Sequence, residues 1–179
     1  MKKTIILVSI LFLSSCSAFM IQRYNISVDN VVALKKIGVG NIYVGAFKKQ
    51  SRFEENCRTM GPVLPPANMT FETYIRKALI DELKFAGIFD EKTPKVILSG
   101  MIKQLTFSAA STTLGSWDIG LLVNSSNGKS IYVIEHYEFD SGFSGQTACK
   151  QTASAFLPAV QNLIGKLVKS PEFKGLVTP

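Results

Sequence analysis

His136 is the only histidine of the chain, and so the only side chain whose ordinary pKa puts its charge change near neutral pH. A hydrolytic triad would need a nucleophile on one side of that imidazole and an orienting acid on the other. His136 stands between Glu135 and Tyr137 in a strand-like stretch, and neither G-x-S-x-G nor H-E-x-x-H occurs anywhere. It reads as a histidine of the sheet surface. The 13 acidic residues are scattered, apart from Glu135, Glu138 and Asp140 near one strand end. Two facing carboxylates at a defined separation would be glycosidase chemistry, but a solvated strand edge is the better account of these three. Gly38-x-Gly40 is followed by no helix and no Gly-Lys-Ser/Thr, so it makes no phosphate loop. The expectation is a protein that is not an enzyme and uses no metal or cofactor.

The cysteines carry more. Met1-Lys2-Lys3 is basic, and Ile5 to Leu13 is apolar apart from Ser9. That run is too short to span a bilayer, which takes roughly twenty apolar residues, and fits the apolar region of a secretory signal. It ends in Leu13-Ser14-Ser15-Cys16, which resembles a bacterial lipobox, in which the cysteine is lipidated and becomes the first residue of the mature chain. The resemblance implies a signal peptide over residues 1–15 and acyl chains on Cys16. It also implies a body facing the periplasm, and Ser17 is compatible with sorting to the outer membrane. One acyl chain gives marginal binding, at ~0.8 kcal/mol per buried CH₂, and several on one cysteine anchor firmly. An exported domain folds in an oxidising compartment, where the remaining Cys57 and Cys149 are most simply a disulfide. It would close a loop of about 90 residues, for which chain entropy gives ~4–5 kcal/mol as an upper figure. A reactive or metal-binding thiol pair is the alternative, with no C-x-x-C and only one histidine to support it.

Composition sets the frame around these residues. Apolar residues make up 46% and charged residues 18% of the 179, enough core for one domain and too little charge for disorder. The formal charge is +7, with Lys2 and Lys3 inside the leader. Such an excess could favour an anionic surface such as phospholipid heads, lipopolysaccharide or peptidoglycan, but lysines scattered over solvated faces are the stronger explanation. No run of five like charges and no basic, aromatic-interleaved stripe is present, so no nucleic-acid partner is expected.

Residues 16–30 read as the lipidated N-terminus and a tether, and residues 31–179 as a single domain. A short edge strand is placed near Val31–Leu34, and the first firm strand at Ile42 to Phe47. Lys48 to Asn68 is a long loop, since Gly61-Pro62 and Pro65-Pro66 break regular structure. Thr70 caps a helix whose Phe71, Ile75, Leu79, Leu83 and Ala86 recur at helical spacing, and Gly87 closes it. Strands follow at Val96–Phe107, Trp117–Val123 and Ile131–Phe139, the last two joined through a turn at Asn127-Gly128, both residues tolerating positive φ. A second helix spans Gln146 to Lys169, with Pro158 predicting a kink or a restart near Ser154. Ser170-Pro171 opens one last helical turn. The order β-α-β-β-β-α gives an α+β two-layer sandwich: a mixed sheet of about four strands, the first two parallel, with two helices on one face. The other face is expected to be partly exposed or covered by the long loop.

This order, the leader through Cys16 and the stretch Gln146 to Gln161 together resemble small outer-membrane lipoproteins of Gram-negative bacteria. The domain order is similar to the TolB N-terminal-like group, which includes lipoprotein activators of penicillin-binding proteins. The resemblance implies a non-enzymatic accessory or assembly factor of a cell-envelope machine, bound to an envelope protein partner. The contact surface is placed on the long loop, at Arg58, Met60, Val63 and Leu64, or on an open strand edge. A small-molecule or lipid carrier is the second reading, and an envelope hydrolase the third.

Overall fold

The computed structural model describes residues 18–109 and 113–179. Cys16 and the leader lie outside the described residues. The domain is a mixed α+β structure built on a four-stranded sheet. In chain order its elements are β1 (Phe19–Met20), α1 (Val28–Ile37), β2 (Ile42–Lys49), β3 (Val63–Leu64), α2 (Phe71–Ala86), β4 (Val96–Ser108), β5 (Leu114–Ser125), β6 (Ser130–Asp140), α3 (Gly145–Lys169) and α4 (Phe173–Val177). The sheet runs β2-β4-β5-β6, and β1 and β3 form a separate two-stranded pair. β2 and β4 are parallel, and β4, β5 and β6 are an antiparallel meander.

Period-2 patterning decides which sheet face is covered. Val96, Leu98 and Ile102 of β4, Trp117, Ile119, Leu121 and Val123 of β5, and Ile131 and Val133 of β6 are all buried. α2 and α3 cover that face. Both are amphipathic, and α2 begins with the capping that its sequence promises: Thr73 N donates to Thr70 Oγ1 at 3.3 Å and Thr70 N to Thr73 Oγ1 at 2.8 Å. Gly87, at φ 77°, ends it, and Ile88 N folds back to Leu83 O. The centre of the core is aromatic. The Phe156 ring lies 4.7 Å from Trp117, 5.1 Å from Phe71 and 5.3 Å from Tyr74, centre to centre. Trp117 Nε1 donates to Thr152 O at 2.8 Å, so the one polar atom of the indole is satisfied.

Several elements depart from the sequence expectation. Val31–Leu34 is not an edge strand but the middle of α1, with Asn30, Val31 and Leu34 turned inward. A three-to-four-residue apolar spacing on a short stretch is ambiguous with a strand, and α1 is stabilised by packing on α2 and α3. The segment read as tether is largely part of the body: Phe19 and Ile21 are buried, and their amides donate to Pro62 O and Leu64 O, each at 2.8 Å. α3 runs unbroken past Pro158, so no restart occurs. At the β5–β6 turn only Gly128 takes a positive φ; Asn127 instead spends its amide on the carbonyls of Gly175, Leu176 and Thr178, clasping α4. The long loop does not cover the outer sheet face. Disulfide Cys57–Cys149, with Cα atoms 5.7 Å apart, ties it to α3, and Phe53 packs edge-on against Phe71. Ile97, Tyr132 and Ile134 on the outer face stay 44–51% exposed.

The aromatic centre sets a stability prediction. Phe156→Ala should lower the free energy of unfolding by ~3–5 kcal/mol, whereas Phe143→Ala, at a residue 85% exposed, should change it by less than about 0.5 kcal/mol. Urea titration of both variants tests this; equal effects would refute the assignment of the core.

Candidate functional site

Three surfaces have the make-up of a functional site: the end where the N-terminal segment docks, the open face of the sheet, and two hollows beside α1 and α2.

The N-terminal segment is fastened by a buried acid. Glu82 is fully buried, and its Oε1 accepts from Tyr24 Oη at 2.6 Å and from Ser27 N at 2.8 Å. Burial, and after it the bond to Glu82, pushes the Tyr24 pKa far up, so the phenol stays a donor. Tyr74 Oη donates to Gln22 O at 2.9 Å, and Gln161 Nε2 to Asn25 O at 2.8 Å. Glu82 was not singled out by the sequence reading. Its signal was there: it falls four residues after Ala78 and three after Leu79, on the apolar stripe of α2, where an acid needs a buried partner.

The loop residues assigned to partner contact divide. Val63 is fully buried and Leu64 half-buried, both consumed by pairing with β1. Arg58 turns inward: its Nε donates to Ala109 O and its Nη1 to Gly142 O and Phe143 O. Met60 is 44% exposed beside Gly145, at the start of α3.

The outer face grades from apolar to charged. One row of the sheet carries Met101, Leu122 and Tyr132, the next Gly120 and Ile134, and the next Thr106, Asp118 and His136. His136 Nδ1 lies 2.6 Å from Asp118 Oδ1, and Nε2 lies 3.6 Å from Glu138 Oε1. Nε2 therefore faces an acid, where a triad would place its nucleophile. The bond to Asp118, and then its charge, raises the His136 pKa. Of the three acids read as a solvated strand edge, Glu138 and Asp140 are exposed but Glu135 is not. It points into the core side at 2% exposure, 2.8 Å from Lys166 Nζ, with Asn162 Nδ2 donating to it at 3.2 Å. The strand edges are partly closed. Arg76 donates to the carbonyls of Val44 and Gly45 on β2, and Lys166 to Ile134 O on β6.

One hollow, of about 290 Å³, is floored by Tyr24, Pro66, Met69 and Tyr74, with Arg23 and Lys77 at its rim. A second, of about 400 Å³, is polar and lies between Asn30, Glu135, Asn162 and Lys166. No cluster of metal-ligating side chains occurs among the described residues, and no described helix is long and apolar enough to cross a membrane.

Together these features define a mixed α+β domain with one covered and one open sheet face. No protein-family model matches the chain, and no curated protein matches it in sequence. Among solved structures it is similar to protein XCC0632 from Xanthomonas campestris, of family DUF330, with a TM-score of 0.51 at 8% identity over 83% of this chain and 93% of that one. A candidate lipoprotein from Caulobacter crescentus CB15 superposes with a TM-score of 0.45 at 10% identity, over 78% and 89% of the two chains. The hypothetical protein CT253 from Chlamydia trachomatis gives 0.43 at 10% identity, over 78% and 98%. The likeness to XCC0632 is one of fold alone.

Two predictions follow from the site geometry. Glu82→Ala leaves the Tyr24 hydroxyl and the Ser27 amide without their acceptor. It should cost ~1–3 kcal/mol and speed hydrogen exchange over residues 19–27 before the rest of the domain; uniform exchange would refute the fastening role. His136 gains its partner on folding, so its stabilisation is complete below the ordinary imidazole pKa of about 6.5 and is lost as pH rises through the raised folded value. Asp118→Asn should lower the His136 pKa in an NMR titration and should destabilise more at pH 6 than at pH 9.

Proposed function

We propose that the protein is a lipid-anchored, periplasm-facing lipoprotein of the outer membrane that serves a cell-envelope machine as a non-enzymatic, protein-binding accessory. The observation that carries the binding role is the open sheet face. Ile97 on β4 and Tyr132 and Ile134 on β6 are large, half-exposed side chains on one face of the meander, with β5 between the two strands, an arrangement suited to burial against another protein. The lipobox-like Leu13-Ser14-Ser15-Cys16 supports the anchor and supplies the membrane lipid partner through acyl chains on Cys16. The hollow floored by Tyr24 and Tyr74 favours the second reading, a carrier of a small amphiphile.

In-cell crosslinking with capture of the tagged full-length protein separates the two. The accessory role requires one dominant crosslinked envelope protein, weakened at least tenfold by Ile134→Glu with Ile97→Glu and reduced by Cys16→Ala. A co-purifying amphiphile in native mass spectrometry, with no protein crosslink, would replace it with the carrier role.

A further inference from the structure

The way the chain enters the domain fixes which end of it meets the membrane. Phe19 is pinned: its amide bonds to Pro62 O at 2.8 Å and its ring is buried. Only three peptide steps separate it from Cys16. A chain spans at most ~3.6 Å per residue, so an acylated Cys16 lies within about 11 Å of the Phe19 backbone. Acyl chains on that cysteine put its backbone at headgroup level. The end of the domain around Phe19 must then sit against the headgroups, with no tether to hold it away.

That end is built for such contact. Phe143 is 85%, Met20 52% and Met60 44% exposed. Phe143 is held on a fixed turn, because Arg58 binds the carbonyls of Gly142 and Phe143. Met60 lies against Gly145. Lys150, the residue after disulfide-bonded Cys149 on α3, shares a hollow with Ala18, Phe19 and Met20. Exposed apolar side chains beside a cation match the boundary between acyl chains and anionic headgroups. The nearby acids Glu54 and Glu55 share a different hollow, with Arg52 and Pro62, and mark the limit of the patch.

We propose that Met20, Met60 and Phe143 insert at the surface of an anionic bilayer, with Lys150 over its headgroups, so that the domain has one fixed orientation on the membrane. This rests on the lipidation of Cys16. It leaves the outer sheet face, on the other side of the sheet from α3, clear of that contact.

The test uses the full-length lipidated protein in vesicles of phosphatidylethanolamine and phosphatidylglycerol, with and without brominated acyl chains. Phe143→Trp and Ile134→Trp each add one indole at an exposed site; the native Trp117 is fully buried and supplies a constant background. The added fluorescence of Phe143→Trp should shift to the blue and fall at least twofold with brominated lipid, and Lys150→Glu should weaken that quenching. Ile134→Trp should stay unquenched. Vesicle-bound, acylated protein with no quenching at 143, or with quenching at 134 instead, overturns the proposed orientation and leaves the anchor standing. Protein that carries no acyl mass and does not float with vesicles overturns both.

Discussion

The contact between Phe156 and its ring neighbours is where the parts of this domain meet. Trp117 brings in the sheet, Phe71 and Tyr74 bring in α2, and Phe156 itself belongs to α3. Two further links leave the cluster. Phe71 packs on Phe53 and so reaches the irregular loop, and the Tyr74 hydroxyl reaches Gln22 of the N-terminal segment. A domain of this size has one core, and its irregular parts are ordered only insofar as they attach to it. Among the described residues, the loop and the N-terminal segment have little backbone pairing beyond the two-residue β1–β3 pair and the Asn56–Pro62 bridge within the loop. The disulfide and Glu82 supply what hydrogen-bonded pairing does not.

How much of this was legible follows from where the periodicity was strong. α2 had a cap, a stripe and a closing glycine, and each was found where the pattern put it. The meander was equally plain, because alternation over Trp117–Val123 admits only one inward face. α1 was missed because its inward set is small, Asn30, Val31 and Leu34, and half of what defines a short helix is what it packs against. The docked N-terminal segment was missed for a related reason. Two residues of β1 carry no period, and their partner is a strand of two residues more than forty positions away. Cys57 and Cys149 could be paired from the sequence because the chemistry of the thiol and the expected compartment leave few choices. Glu135 could not be separated from its exposed neighbours by composition. Only its place in the alternation, after Ile131 and Val133, marks it as inward.

The two faces of the sheet answer different demands. The inner face is closed by aromatic packing, and even its acid, Glu135, is matched by Lys166. The outer face keeps Ile97, Tyr132 and Ile134 in the open, while cations from the helices occupy carbonyls along both edges of the sheet. This combination disfavours unselective strand addition at the edges and leaves face-on contact as the accessible mode.

The pairing of β1 with β3 also defines how tension would travel. A pull on the N-terminus enters at Phe19 and is borne by two amide bonds to Pro62 and Leu64, then by Tyr24 and Ser27 on Glu82. β3 hands its share to α3 through the Cys57–Cys149 bond, so only the few residues between Cys57 and Pro62 can lengthen before a covalent link takes the strain. The irregular loop thus gives the domain little slack, and a pull on the segment before Phe19 is transmitted to the helix layer as a shift of the whole body.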